Sequence, residues 1–343
     1  MKHALDPTLL EPAAGAGRGT SAIAAVQAAS ELSPELSIVV PMFNEAPVLD
    51  RLFERLGKLM ERLGLSYEIV AVNDGSTDET LAGLLAHRAR NPALKVLSLS
   101  RSFGKDIALS AGLDYARGRA VVPLDADLQD PPELIEQMVE LWRTGYDVVY
   151  ATRKKRPGDT WLKRTTAHFF YRVFEAIADV PIPRDTGDFR LLDRRVVDVM
   201  VRLPERTRFM KGLFAWVGFK QTAVYYQREE RQAGGTKWNY WRLWNFAMDG
   251  ITSFSSFPLK VWSYFGFTIS AFAFLYAVVL AIRKLLHDVD VPGYTSLMVV
   301  LLFLGGIQLI TLGILGEYMG RVYNEVKGRP LYVVRELHGF DGD

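Results

Sequence analysis

The sequence predicts an α/β domain, a mostly parallel sheet covered by helices on both faces, followed by a pair of membrane-spanning helices. Three observations predict it. Between residues 36 and 152, short runs rich in Val, Ile and Leu alternate with amphipathic stretches at helical spacing. Polar clusters that carry carboxylates follow three of the apolar runs. In the C-terminal third, residues 261–282 and 291–316 contain no Asp, Glu, Lys or Arg.

Residues 1–35 are rich in Ala, Gly and Ser and lack the apolar centre of a cleaved signal, so a mobile tail is expected, with short helical turns around residues 23–29. The soluble domain is expected over residues 36–236. Its strands are "LSIVVP", "YEIVAVND", "KVLSLS", "AVVPLD" and "DVVYAT", each too short for a helix. Val48, Leu49, Leu52, Phe53, Leu56, Met60 and Leu63 recur at helical spacing, and further helices are expected over residues 78–90, 105–116 and 133–143. Strands that alternate with helices in this way pair in parallel, with both faces covered.

Residues 237–258 interleave Trp238, Tyr240, Trp241, Trp244 and Phe246 with few charges, as a helix lying in the headgroup region does. Residues 161–177 have a similar mix. Two spans, 261–282 and 293–316 within a membrane segment 259–318, are each about 20 residues or longer, enough to cross a bilayer core. The short link 283–290 makes them a hairpin with both ends on one side. Lys260, Arg321, Lys327 and Arg329 favour the cytoplasm for those ends, against Arg283 and Lys284 in the link. Gln308 suits a hydrogen bond to the neighbouring helix. In the tail 319–343, "RPLYVVREL" is a strand that pairs with the soluble domain or with a neighbouring subunit.

The formal charge of +2, from 41 basic and 39 acidic residues, is too balanced for a nucleic-acid-coating protein. With no cysteine, disulfides, thiolate metal sites and cysteine nucleophiles are excluded. No G-x-G-x-x-G follows the first strand, which argues against a dinucleotide-dependent dehydrogenase.

In open parallel sheets, ligands sit outside the carboxyl ends of the strands. "PMFNEA", "VNDGSTD" and "DADLQD" all fall there. In the last, Asp125, Asp127, Gln129 and Asp130 crowd oxygen donors together, a set suited to Mg²⁺ or Mn²⁺ completed by substrate phosphates. A turn or helix start is the competing reading, since Asp130 precedes Pro131, Pro132 and Glu133.

"IVVPMFNEA", "VNDGSTDET", "DADLQDPPELI", "GDFRLLDRRVV" and "RQAGGTKWNYWRL", followed by a membrane hairpin, resemble glycosyltransferase family 2. More closely they resemble its polyprenyl-phosphate branch of bactoprenol glucosyltransferases and dolichol-phosphate mannose synthases. The resemblance covers residues 36–331 and implies a GT-A (Rossmann-like) fold. It implies Pro41, Phe43, Glu45 and Asp74 around the nucleotide, Asp125 orienting nucleotide or metal, and Asp127 with Gln129 holding Mg²⁺ or Mn²⁺ against the diphosphate. Lys105, Arg231, Thr236 and Lys237 would bind the donor, and Arg153 and Arg164 the acceptor phosphate. Asp188 would orient the sugar or a neighbouring arginine, and Arg190 is a further candidate cation.

What the resemblance implies is inverting transfer of one hexose, glucose first, from a UDP-sugar to undecaprenyl phosphate, at the cytoplasmic face of the inner membrane by a multi-pass protein. Bacterial relatives of this kind are often tetramers. The lipid phosphate is already ionised near neutral pH, so no strong general base is needed. Mannose, galactose or an N-acetylhexosamine are the alternative sugars. A processive polysaccharide synthase would carry a Q-x-x-R-W motif and more spans, neither of which is found, and a non-catalytic membrane scaffold would have no need of the carboxylate set.

Overall fold

The computed structural model describes residues 33–153, 186–206, 208, 210–226, 257–287 and 293–340. The expected N-terminal tail, the stretch 161–177, the interfacial helix up to residue 256, and Arg164, Arg231, Thr236 and Lys237 lie outside the described residues.

Eight strands form one sheet: β1 (Leu36–Met42), β2 (Tyr67–Asn73), β3 (Leu94–Leu99), β4 (Ala120–Pro123), β5 (Val148–Arg153), β6 (Thr186–Asp193), β7 (Gln221–Tyr226) and β8 (Val334–His338). Their order is β7-β5-β6-β4-β1-β2-β3-β8. The β1–β2, β1–β4, β2–β3 and β5–β7 pairs are parallel, whereas β6 runs antiparallel to β4 and β5. This is the mostly parallel GT-A sheet that was expected. The reversal of β6 places its first residues beside the ends of β4 and β5, so one edge of the sheet gathers loops from both directions.

Alternation along β1 builds the two layers. Ile38 and Val40 face α1 (Leu49–Leu63) and α4 (Leu134–Arg143), packing with Leu52, Leu56, Ile135 and Met138. Val39 faces the other side, with Ala108 and Leu109 of α3 (Lys105–Tyr115) and Val196 and Val197 of α5 (Arg194–Arg202). Each of these large apolar side chains contributes about 1.5–3 kcal/mol on burial. Helix α2 (Thr80–Arg88) buries Leu84 in the first layer, and α6 (Met210–Trp216) buries Phe214 in the second.

At the edge opposite the carboxyl ends of the strands, Glu68 is nearly enclosed. It accepts from Ser37 Oγ (2.5 Å) and the Arg117 amide (2.6 Å) and lies 2.7 Å from Lys95 Nζ. Those bonds tie the starts of β1, β2 and β4 together.

Strand β8 pairs antiparallel with β3, so the C-terminal tail returns to the soluble domain of its own chain. Tyr332 donates to Asp114 Oδ2 (2.7 Å), and Phe340 meets Tyr115 edge-on. The unpaired groups of β3 are thereby covered.

Helices α7 (Phe257–His287) and α8 (Tyr294–Val326) follow the sheet domain. Arg283 and Lys284, expected in the link, continue α7 to His287; both are good helix formers that need no break. Among the described residues one helical segment, residues 296–326, is long and apolar enough to cross a membrane, with a mean hydropathy of 2.4 over its most apolar 18 residues. The apolar part of α7, residues 264–280, is 17 residues long and falls short of that criterion, so the second expected span lacks the same support.

Candidate active site

The strand ends are stitched to one another before any ligand arrives. Asn44, with φ of 57°, accepts from the Thr77 amide (2.8 Å), and its own amide donates to Ser76 Oγ (3.0 Å). Asp74 is 3% exposed and accepts from Ser102 Oγ (2.8 Å), the Phe103 amide (2.7 Å) and the Gly104 amide (3.0 Å). Three of a carboxylate's roughly four acceptor positions are thus occupied. Asp74, expected around the nucleotide, holds the β3–α3 loop that delivers Lys105. Pro41 ends β1 together with Met42, and Phe43 and Glu45 follow it, Phe43 being 45% exposed.

Lys105 is the central cation. Its Nζ lies 2.7 Å from Asp125 Oδ1 and 2.8 Å from Asp188 Oδ2, so it bridges the end of β4 and the start of β6. The Asp125 carboxyl is held above the ordinary aspartate range, first by loss of hydration; Lys105 pulls the other way and Asp188 pushes it further up.

The carboxylate loop turns at Leu128, which has φ of 56° and a buried side chain. A non-glycine residue in this region costs about 1–2 kcal/mol, and such strain concentrates at functional sites. The turn allows Asp127 Oδ1 to accept the Gln129 amide (3.1 Å). Among the described residues no cluster of three His, Asp or Glu side chains could hold a metal by itself. Asp127 and Gln129 nevertheless offer hard oxygen donors, and Mg²⁺-type ions are commonly held by one or two carboxylates with substrate phosphates completing the shell.

Beyond Gln129 the loop closes on a second group. Asp130 is 3% exposed and accepts the Tyr226 hydroxyl, which in turn accepts from Arg153 Nε (3.1 Å). Burial first, and Asp130 next, push the Tyr226 phenol up to about 12, so it stays a donor at neutral pH. Arg190, expected as a further cation of the site, is buried on β6. It stacks on Phe214 at 3.9 Å, donates to the Gly187 carbonyl (2.7 Å), and has its pKa drawn down to about 10 by burial. It fixes the start of β6, where Asp188 stands.

Asp74, Lys105, Asp125 and Asp188 therefore form one connected group, and Asp130, Tyr226 and Arg153 another, with Asp127 and Gln129 on the loop between them. Tyr226 and the inward role of Asp130 are not evident from the sequence reading. The signal for Tyr226 is its place at the end of "TAVYY", one more strand-like run.

The chain that gathers these carboxylates and cations at its strand ends is similar in sequence to known proteins. Residues 37–200 match the model for "Glycosyl transferase family 2", and residues 257–322 match the "GtrB C-terminal hairpin". An uncharacterized glycosyltransferase of Synechocystis sp. is 59% identical over 307 residues, 90% of this chain and 96% of that one. An uncharacterized glycosyltransferase of Bacillus subtilis is 49% identical over 90% of this chain and 95% of that one. The prophage-derived bactoprenol glucosyl transferase of Shigella flexneri is 47% identical over 89% of this chain and 98% of that one. The chain belongs to glycosyl transferase family 2, and it is a glycosyltransferase whose GT-A domain is followed by a GtrB-type C-terminal hairpin.

Proposed function

We propose that the chain transfers a single hexose, glucose in the first instance, from a UDP-sugar to undecaprenyl phosphate with inversion at the anomeric carbon. The observation that carries this reading is that one chain combines a carboxylate–lysine cluster at its strand ends with an apolar, outward-facing helix. Large side chains along α8, such as Leu297, Leu301, Phe303, Leu309 and Leu312, are exposed, a surface suited to lipid rather than water. With 33 residues, α8 is about 50 Å long, more than the roughly 30 Å of a hydrocarbon core. Its last turn therefore projects beyond the bilayer, where Glu325 accepts the Arg206 amide at 2.9 Å. That contact holds the sheet domain against the membrane end of the helix. Similarity to relatives named bactoprenol glucosyl transferases supports the lipid acceptor and the sugar.

In this reading α7 and α8 form a hairpin with both ends in the cytoplasm, and residues 36–236 are the catalytic domain on that side of the inner membrane. Asp127 and Gln129 hold a Mg²⁺ or Mn²⁺ ion, which when bound stabilises the charge of the departing diphosphate. Lys105 keeps Asp125 and Asp188 close together and offsets their mutual repulsion. Asp188 is engaged by that ammonium group, which suits an orienting role better than proton abstraction. Arg153, with Arg164, presents a guanidinium to the acceptor phosphate, whose oxygen attacks the anomeric carbon. The sugar–oxygen bond to the diphosphate breaks as the new one forms, so an α-linked donor gives a β-linked product.

The test uses detergent-purified protein, Mg²⁺ and undecaprenyl phosphate, with UDP-glucose, UDP-galactose, UDP-N-acetylglucosamine and GDP-mannose offered separately. Sugar-labelled lipid is expected from UDP-glucose, abolished by EDTA and by Asp127→Ala. No labelled lipid from any donor, with UDP still bound, would overturn the reading. Label that survives EDTA would overturn the part given to the metal.

A further inference from the structure

Arg153 is a tethered side chain. It ends β5 directly opposite Tyr226 in the parallel β5–β7 register, and its Nε donates to the Tyr226 hydroxyl at 3.1 Å. That hydroxyl donates to Asp130, so the acceptor side of the phenol is turned towards the arginine. A second contact closes the arrangement, with an Arg153 terminal nitrogen 3.7 Å from Asp130 Oδ1. On the remaining side lies Gly187, where a Cβ would stand 3.3 Å from the same nitrogen. Asp130 and Tyr226 are enclosed, at 3% and 5% exposure, whereas 34% of the Arg153 side chain remains exposed at the strand-end edge. Two buried groups from separate elements thus converge on one partly open guanidinium.

We propose that Tyr226 and Asp130 are positioning residues that pre-order Arg153 for the phosphate of the acceptor. The inference rests on the reading of Arg153 given above. Arginine recognises phosphate through a planar fork of donors, and the gain depends on how that plane is held. With Nε fixed by Tyr226, less rotamer freedom is lost when a phosphate binds. Phenylalanine at position 226 would keep the ring while removing the group that fixes the plane.

The experiment measures initial rates with UDP-glucose and undecaprenyl phosphate for Tyr226→Phe, Arg153→Ala and the double variant. Tyr226→Phe is expected to raise the acceptor KM about tenfold, the scale of a lost hydrogen bond to a charged group, with the donor KM unchanged. In the Arg153→Ala background the same substitution is expected to add little. An equal further loss in that background would make Tyr226 merely structural and overturn the inference, as would a wild-type acceptor KM in Tyr226→Phe. Asp130→Asn is read by the same split and carries the test if Tyr226→Phe does not fold. A wild-type protein that makes no lipid-linked sugar would instead sink the acceptor reading itself, so the two failures are distinguishable.

Discussion

Gly75→Ala is expected to cripple turnover although Gly75 makes no contact with substrate through a side chain of its own. Gly75 has φ of +64°, and a Cβ there would stand 2.4 Å from the Arg101 carbonyl carbon and 2.5 Å from the Ser102 nitrogen. Both are backbone atoms, so no side chain can swing away. Carbon atoms pack at about 3.5 Å, so the β2 and β3 loops must part by about 1 Å. The left-handed φ adds about 1 kcal/mol for alanine. Separation stretches the bonds of 2.7–3.0 Å that Asp74 receives from Ser102, Phe103 and Gly104, and the next residue is Lys105. A displacement of 1 Å at a reacting group costs about 100-fold in rate. The assay is kcat/KM for transfer to undecaprenyl phosphate, and the expected loss is about 100-fold with the fold retained by circular dichroism. Gly57→Ala, in α1 with no atom within 4 Å of its Cβ, serves as control and is expected to keep full activity. Wild-type turnover in Gly75→Ala would refute the claim that the spacing of these loops places Lys105.

Lys105→Met removes the cation shared by Asp125 and Asp188, and turnover at saturating donor is expected to fall by about 100-fold or more, measured by initial rates. Glu68→Gln tests stability away from the cleft. The Glu68 pKa lies below its ordinary 4.5: burial, the largest influence, raises it, but Lys95, Ser37 and the Arg117 amide together outweigh that effect. A lowered folded pKa means that its stabilisation is full above about 4.5 and is lost as pH falls through the folded value. Glu68→Gln is therefore expected to destabilise by about 3 kcal/mol near neutral pH and to flatten the acid side of the melting-temperature profile, checked by thermal unfolding in detergent.

The α/β alternation was legible because β1, β2 and β4 are short runs rich in Val and Ile that are buried on both faces, and α1 and α4 each show an apolar stripe. Strand β6 was not, because "TGDFRLLD" mixes Asp188 and Arg190 into a strand; buried Phe189, Leu191 and Leu192 are the residues that hold it in the sheet. The place of the D-x-D loop at the carboxyl edge of the sheet was legible, since carboxylates directly after a strand cannot enter the core unpaired. What spacing could not convey is which carboxylate turns inward. Asp130 reads as a helix start from its two following prolines, yet its carboxylate meets Tyr226, 96 residues away along the chain. A partner that distant is set by strand order, and order is not written in local periodicity.

The charged groups gathered at the strand ends bear on the chemistry. Lys105 lies between Asp125 and Asp188, Arg153 lies beside Asp130, and Arg190 is buried against Phe214. The proposed donor and acceptor would each bring phosphate oxygens beside these carboxylates. Two like charges about 4 Å apart repel by roughly 4 kcal/mol at an effective dielectric near 20. Reaction then requires positive charge close to those oxygens. In the proposed mechanism a divalent ion held by Asp127 and Gln129 would supply part of it, and Arg164, Arg231 and Lys237, which the family resemblance assigns to the phosphates, would supply the rest. A pre-ordered Arg153 is worth most under these conditions, because each cation already in place lowers the work of bringing the two anions together.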